Sequence, residues 1–324
     1  MGHSLCFAIQ NSEFIISSLP LNRATLIYNP VAGRRPARRE RQIREAAEVL
    51  RANGIEVHLA ATTGPGVAKD LARKAVEEGY ELVLACGGDG TVNEVLNGLV
   101  PGTATLGIFP GGTANIIGKE LRLPHNPVRA AHALPNWKPR RIALGRATWR
   151  DATSGEARSR VFISLAGIGF DAYIVHSLAW SLKMGWGVVG YGLEAVRQAM
   201  RYSFPRFHFW TETGKRQATF AVVHRTGHYA GWLPLAPAAS LFKPDFTACL
   251  FKSPSRARYF LYAVAVILRQ HLRLSDVELV DTRKVTCAPA QPGKPIYFEI
   301  DGELVGELPA TFEILPDALT VLVP

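Results

Sequence analysis

The sequence predicts an α/β-plus-β protein, with an N-terminal doubly wound α/β domain followed by a C-terminal β-sandwich-like domain. Three observations carry this. Strand and helix patterns alternate from Ala24 to about Arg140; short β-rich segments parted by Gly and Pro turns take over after about Ile142; and 324 residues at 48% hydrophobic content suffice for two packed cores. The expected organisation is an extension over residues 1–22, an α/β domain over 23–140 and a β-rich domain over 141–324, whose last strand could return to the first domain.

The elements follow in order. "ATLIY" is a short buried strand, and Ile43, Ala46, Ala47 and Leu50 recur at helical spacing, so an amphipathic helix follows Pro36. "IEVHLA" alternates as a strand does. Ala68, Leu71, Ala72 and Ala75 mark a second helix, "ELVLA" a fully buried strand, Val92, Val95, Leu96 and Leu99 a third helix, and "ATLGIF" the next strand. Parallel strands need such crossovers, which place helices on both faces of one sheet. The second half reads as strands at "RVFISLAGIGF", "HFWTE", "QATFAVVH", "FTACLF", "VELVDTRKVTCA", "PIYFEIDGEL" and "TFEILP", with helices around Tyr191–Met200 and Tyr259–His271.

Charge and composition narrow the function. Thirty-seven Lys and Arg against 27 Asp and Glu give a net charge of +10, which favours an anionic partner: nucleic acid, an anionic bilayer or a nucleotide. No nucleic-acid recognition module is evident. The densest basic run, "GRRPARRERQIR", holds Arg34, Arg35, Arg38, Arg39, Arg41 and Arg44, which suits either a solvated helix face or an anion site. Four scattered cysteines without metal spacing point to reduced thiols and a cytoplasmic setting. The N-terminal stretch carries Glu13 inside its apolar part and lacks a basic start, so it is a poor signal peptide. The longest apolar run, Tyr259 to Leu268, falls short of the ~20 residues that span a bilayer, so any membrane contact is expected to be peripheral.

The densest chemistry lies in "CGGDGTVNEVLNGL", at the carboxyl end of a buried parallel strand and the amino end of a helix. Ligands of open α/β sheets bind at that edge, and a helix N-terminus favours phosphate. Gly87, Gly88 and Gly90 are expected to let the backbone approach phosphate oxygens and adopt positive φ. Asp89 suits a ribose hydroxyl, a Mg²⁺ or a fixed loop geometry. The dinucleotide fingerprint fails because Asn93 stands where a third glycine belongs, and "GTANIIGKE" misses the P-loop pattern. Asn93 and Asn97, one turn apart, face away from the apolar stripe, which a solvated helix face would also explain. "HRTGH", His224 to His228, has metal-like spacing but lacks the glutamate of a zinc motif. Asp-Gly at Asp301 and Gly302, between two alternating runs, is by itself an ordinary hairpin turn.

Taken together, "YNPVAGR", "TTGPGVAKDLA", "CGGDGTVNEVLNGL", "FPGGTANIIGKEL" and "FEIDGE", in order from about Arg23 to Pro324, resemble the diacylglycerol kinase catalytic domain family, which includes sphingosine kinases and bacterial lipid kinases. The resemblance implies an ATP-dependent lipid kinase that uses Mg²⁺ and meets a lipid substrate at an anionic membrane surface. It implies nucleotide contacts at Asn29, Pro30, Gly33, Thr62, Gly87, Gly88, Asp89, Gly90, Thr91, Asn93, Glu94, Gly112, Thr113 and Asn115, with Asp89 reaching metal through Mg·ATP. It implies Glu303 as general base, supported by Asp301. In the lipid half Asp171 suits either a substrate contact or a turn cap, Lys183 with Tyr191 resembles a segment before a family helix, and Trp180, Trp186, Tyr191 and Trp232 suit either core packing or a lipid mouth. Two departures stand out. Ile116 follows Asn115 where many members carry Asp, and "FKPDF" places Lys243 where an acid near a structural Mg²⁺ belongs, with Asp245 alone nearby, so a lysine ammonium is expected in place of that cation. The rival readings are a NAD kinase-like enzyme and a non-catalytic nucleotide- and membrane-binding module. Oligomeric state, a homodimer included, stays open.

Overall fold

A computed structural model of the protein describes residues 22–31, 36–112, 115–170, 172–173, 202–229, 233–293 and 295–324. Its first half runs β1 (Arg23–Tyr28), α1 (Pro36–Ala52), β2 (Glu56–Ala61), α2 (Val67–Glu77), β3 (Leu82–Gly87), α3 (Asp89–Leu99) and β4 (Thr105–Pro110), then the short helices α4 (Ile116–Glu120) and α5 (Pro127–Ala133). Strands β1 to β4 are parallel in the order β2-β1-β3-β4. The apolar runs of β3 and β4 are buried at every residue, as central parallel strands require. Ile43, Ala46, Ala47 and Leu50 are all solvent-inaccessible, so the helical spacing read in α1 packs against this sheet.

The second half comprises β5 (Lys138–Arg150), β6 (Ala157–Phe162), β7 (Leu165–Gly169), β8 (Phe207–Thr211), β9 (Gly214–Ala218), β10 (Phe220–His224), β11 (Phe246–Phe251), α6 (Arg256–Ile267), β12 (Val277–Thr282), β13 (Lys284–Pro289), β14 (Tyr297–Ile300), β15 (Glu303–Glu307) and β16 (Ala310–Val323). A six-stranded sheet in the order β12-β11-β10-β7-β14-β15 faces the remaining strands across a core rich in phenylalanine, with Phe162 stacked on Phe246 at 5.7 Å between centroids. This is the β-sandwich-like layer expected of the sequence.

The two halves share one sheet. β16 pairs antiparallel with β5 along most of its length and then lies parallel to β4, with Thr320 opposite Thr105 and Val321 opposite Leu106. The ten-stranded sheet therefore crosses the expected boundary near residue 140 without a break. Two segments that read as single strands are each divided between sheets. "RVFISLAGIGF" breaks at Ile163 and Ser164, between β6 of the large sheet and β7 of the small one, and "VELVDTRKVTCA" breaks at Arg283 between β12 and β13. Such corners let one chain line both layers of a sandwich. The helix expected around Tyr191–Met200 lies outside the described residues.

Candidate active site

The first step is the carboxyl edge of the parallel sheet. β1, β3 and β4 end there side by side, and the strand order reverses between β1 and β3, so the segments after β1 and β3 flank a topological switch point. Asn29 follows β1; its amide donates to the Cys86 carbonyl and its Oδ1 accepts from Val31 N at 3.0 Å. Pro30 stands in the turn that this Asn closes, and Thr62 N donates to the Tyr28 carbonyl at 2.9 Å, at the same edge. Gly33 and Thr113 lie outside the described residues.

The glycines serve close approach, and here the expectation of positive φ is corrected: Gly87, Gly88 and Gly90 are absent from the positive-φ set, and Gly88 has φ −83°. What they permit is contact between loops. A Cβ on Gly112 would stand 2.5 Å from the Gly88 Cα, and one on Gly87 2.5 Å from Thr91 Oγ1. Gly90 makes room for the other domain, because its Cβ would meet Glu303 Oε1 at 3.0 Å. The Gly88 that caps α3 brings no side chain to its N-terminus, so the positive end of an 11-residue helix is presented at this edge. Arg39 of α1 joins it there, donating to the Pro110 carbonyl and lying against Gly111. The basic run thus places one guanidinium at this edge. These features fit a nucleotide polyphosphate.

Four expected nucleotide contacts are instead tied up within the protein. Asp89 Oδ1 accepts from Ile116 N at 2.7 Å, which fixes the α3 loop to the start of α4; burial pushes its pKa up against the pull of the surrounding amides. This contact gives Asp89 a part in fixing the loop geometry. Asn115, at φ 47°, accepts from Gly112 N at 2.8 Å and donates to the Gly112 carbonyl at 2.7 Å, closing its own loop. Glu94 caps α2, its two oxygens accepting from Gly66 N and Ala68 N. Asn93 is buried and faces the second domain, its amide donating to Asp301 Oδ2 at 2.6 Å. For Asp89, Asn115 and Glu94 the physical reason is shared: loop and helix-start amides without backbone partners need acceptors, and these side chains are within reach. Asn93 instead serves the join between the domains.

The second domain supplies the rest. Asp301 and Gly302 both have positive φ, 49° and 87°, as the two central residues of a type I′ hairpin require, so the turn reading and a functional reading hold together. Asp301 is buried and accepts from Ile163 N, Ser164 N and Leu165 N, the three amides freed where β6 gives way to β7. Burial pushes its pKa up, opposed by those amides and by Asn93. Two residues on, the Glu303 carboxylate is 44% exposed and accepts from Arg160 Nη2 at 2.6 Å. Arg160 also donates to Asn93 Oδ1 through Nε at 3.1 Å and Nη2 at 2.6 Å. Asn97 completes the join with a paired amide contact to Val161, at 2.9 and 3.0 Å. Asn93 and Asn97 are therefore a domain clasp and not a solvated face.

Arg160 was not singled out from the sequence. A signal existed: it stands two residues before Phe162 on the same face of β6, a charge at a position whose neighbour is fully buried.

The segment expected to lack a structural Mg²⁺ is organised by an arginine. Arg225 is fully buried and donates to the carbonyls of Ala143, Leu241, Lys243 and Asp245 at 2.5 to 3.0 Å. Burial pushes its pKa down to about 10. Lys243 Nζ donates to the Ala238 carbonyl instead, so the cation at the centre of this loop is a guanidinium and not the expected lysine. Among the described residues no three His, Cys, Asp or Glu side chains gather as a metal site. His224 is buried at the end of β10, and His228 lies 3.6 Å from Glu120. Asp171, Trp180, Lys183, Trp186, Tyr191 and Trp232 lie outside the described residues.

Residues 23–147 match the model of the diacylglycerol kinase catalytic domain, and residues 164–323 that of the YegS C-terminal NAD kinase beta sandwich-like domain. The first part of the chain therefore carries a diacylglycerol kinase catalytic domain and the second a YegS-type beta sandwich-like domain. With that catalytic domain it is a lipid kinase. The chain is 27% identical over 309 residues to a diacylglycerol kinase of Bacillus subtilis, covering 94% of this chain and 97% of that one. It is 28% identical over 307 residues to one from Staphylococcus aureus, covering 93% and 92%. A crystal structure of a diacylglycerol kinase from Bacillus anthracis superposes with a TM-score of 0.73 at 22% identity, over 95% of this chain and 99% of that one. Yeast NADH kinase shares the fold more distantly, with a TM-score of 0.53 at 10% identity over 94% and 84%.

Proposed function

We propose that this lipid kinase transfers the γ-phosphoryl group of Mg·ATP to the hydroxyl of a diacylglycerol-like or sphingoid-base-like lipid, at the surface of an anionic membrane. The observation that carries the reading is the placement of Glu303, a half-exposed carboxylate from the β-rich domain set against Gly90 at the phosphate-binding edge of the other. Nothing but a missing Cβ separates them.

Each residue then has one task. The Gly87–Thr91 backbone and the α3 N-terminus receive the phosphates, and Arg39 adds positive charge at the same edge. Bound nucleotide supplies the phosphoryl group, and its Mg²⁺ neutralises charge on the phosphates. Glu303 would accept the proton of the lipid hydroxyl as that oxygen bonds to the γ-phosphorus and the bond from phosphorus to the β,γ-bridging oxygen breaks, releasing ADP. Arg160 holds the carboxylate from behind, and Asn93 and Asp301 hold Arg160 and the hairpin in turn. A NAD kinase-like reading rests on fold alone, and a non-catalytic one leaves the Glu303 arrangement without a use.

The test is to incubate the protein with labelled ATP and, in mixed micelles, diacylglycerol, a sphingoid base, phosphatidylglycerol and a polyprenol, with NAD as a soluble rival acceptor. Label in a diacylglycerol or sphingoid base and none in NAD is the expected result. Label in NAD alone, or in no acceptor, would overturn the reading.

A further inference from the structure

α6 is apolar on both sides. Its inner side, Tyr259, Tyr262 and Ala265, is buried over the six-stranded sheet, with Tyr259 stacked on Phe204 at 3.7 Å. The outer side repeats the helical spacing in solvent: Phe260, Leu261, Val264 and Ile267 are exposed, Val264 at 52% and Ile267 at 59%, and Leu268 and Leu272 continue the stripe, Leu268 at 62%. Twelve residues of helix, about 18 Å, cannot cross a bilayer.

The surroundings say what covers this face. From Phe246 to Ser275 the chain contains no Asp or Glu, while Lys252, Arg256, Arg258, Arg269 and Arg273 fall within it. Arg258 is held by Asp276 and Lys252 by Glu278, but Arg256, Arg269 and Arg273 pair with no carboxylate among the described residues. Three free guanidinium groups thus frame an exposed apolar stripe. A basic-rimmed apolar helix lying flat is the pattern of an interfacial helix on anionic lipid. A protein partner would need its own acidic rim, whereas an anionic leaflet offers charge and apolar depth together. The core layer beneath α6 is tied to the site, since Leu165 lies in that cluster and donates its amide to Asp301.

We propose that the outer face of α6, with Leu268 and Leu272, is the surface on which this protein docks to an anionic bilayer, the arginines meeting headgroup phosphates and the apolar stripe entering the acyl boundary. The inference rests on the reading of a kinase that works at a membrane, and names the surface it uses.

The test is co-sedimentation of the full chain with vesicles of phosphatidylcholine alone and of phosphatidylcholine with an equal amount of phosphatidylglycerol. Wild type should bind the anionic vesicles far better, and less so as salt rises. Val264→Asp and Leu268→Asp should each weaken binding about 10- to 100-fold, and Arg269→Gln and Arg273→Gln about fivefold each, with ATP affinity and thermal unfolding unchanged as the check on folding. Wild-type binding by both aspartate variants, or binding indifferent to phosphatidylglycerol, would overturn the proposal. So would a dimer in light scattering that the aspartate variants alone dissolve, since a second copy would then cover the face. Sedimentation needs no turnover, so a protein inactive on every lipid would count against the kinase reading and leave this result standing.

Discussion

At the scale of single residues, the site is a relay of side chains whose partners lie far apart in sequence. Asn93 and Asp301 are 208 positions apart and share a 2.6 Å hydrogen bond. Arg160 joins Asn93 to Glu303, and its removal should release that carboxylate without touching the phosphate edge. Arg160→Met is expected to lower kcat by about 10², the scale of a misplaced catalytic group, with ATP affinity within a factor of two and partial rescue by Arg160→Lys. A rise in the ATP dissociation constant with kcat intact would instead place Arg160 on the nucleotide. Asp89 acts one step back, as an anchor between two loops. Asp89→Ala strips an acceptor from buried amides, so a stability loss of about 1–3 kcal/mol and weaker ATP binding are expected from a domain that still folds cooperatively. Calorimetric ATP binding equal to wild type would remove Asp89 from the account. The carboxylates at 89, 301 and 303 were legible as a set through their motifs. Their division of labour was not, because a motif records which residue stands at a position and not which amide it faces.

At the scale of elements, periodicity exposed what local chemistry dictates. The helical stripes of α1 and α3 and the buried runs of β3 and β4 emerge as read. The corner at Ile163 and Ser164 did not show, since "RVFISLAGIGF" is continuously apolar on both sides of it and nothing local marks a change of sheet. Its cause is a distant carboxylate that collects the three amides there. The same holds for the loop over Ala238–Asp245, organised by a buried arginine just past the end of β10. Arg225→Met leaves four carbonyls without their donor, and a loss of at least about 4 kcal/mol follows if each unmade bond costs ~1 kcal/mol or more, to be read from urea unfolding. A chelator should leave the Tm of the wild type where it was. A Tm that falls with chelator and recovers with Mg²⁺ would show a cation in that loop after all.

At the scale of the whole molecule, two domains are locked through one shared sheet and one polar clasp, and their stability carries a titration. His224 is fully buried, and burial with neighbouring His271 pushes its pKa down to about 3. In the unfolded chain it takes up a proton below about pH 6.5; in the folded one it does not, so the unfolded state binds more protons and stability falls as pH drops from about 6.5 toward 3, by up to ~1.4 kcal/mol per unit. His224→Leu should flatten the slope by that amount between pH 6 and 5, and parallel wild-type and variant curves would contradict it. The central claim, however, is that the domains are locked in order to bring Glu303 to the phosphate edge. The most direct measurement is single-turnover phosphoryl transfer by Glu303→Gln at saturating ATP, beside its ATP affinity. The substitution keeps shape and loses proton acceptance, so turnover should fall by roughly 10² to 10⁴ with ATP binding unchanged; near-wild-type turnover would make Glu303 a hairpin residue and contradict the account.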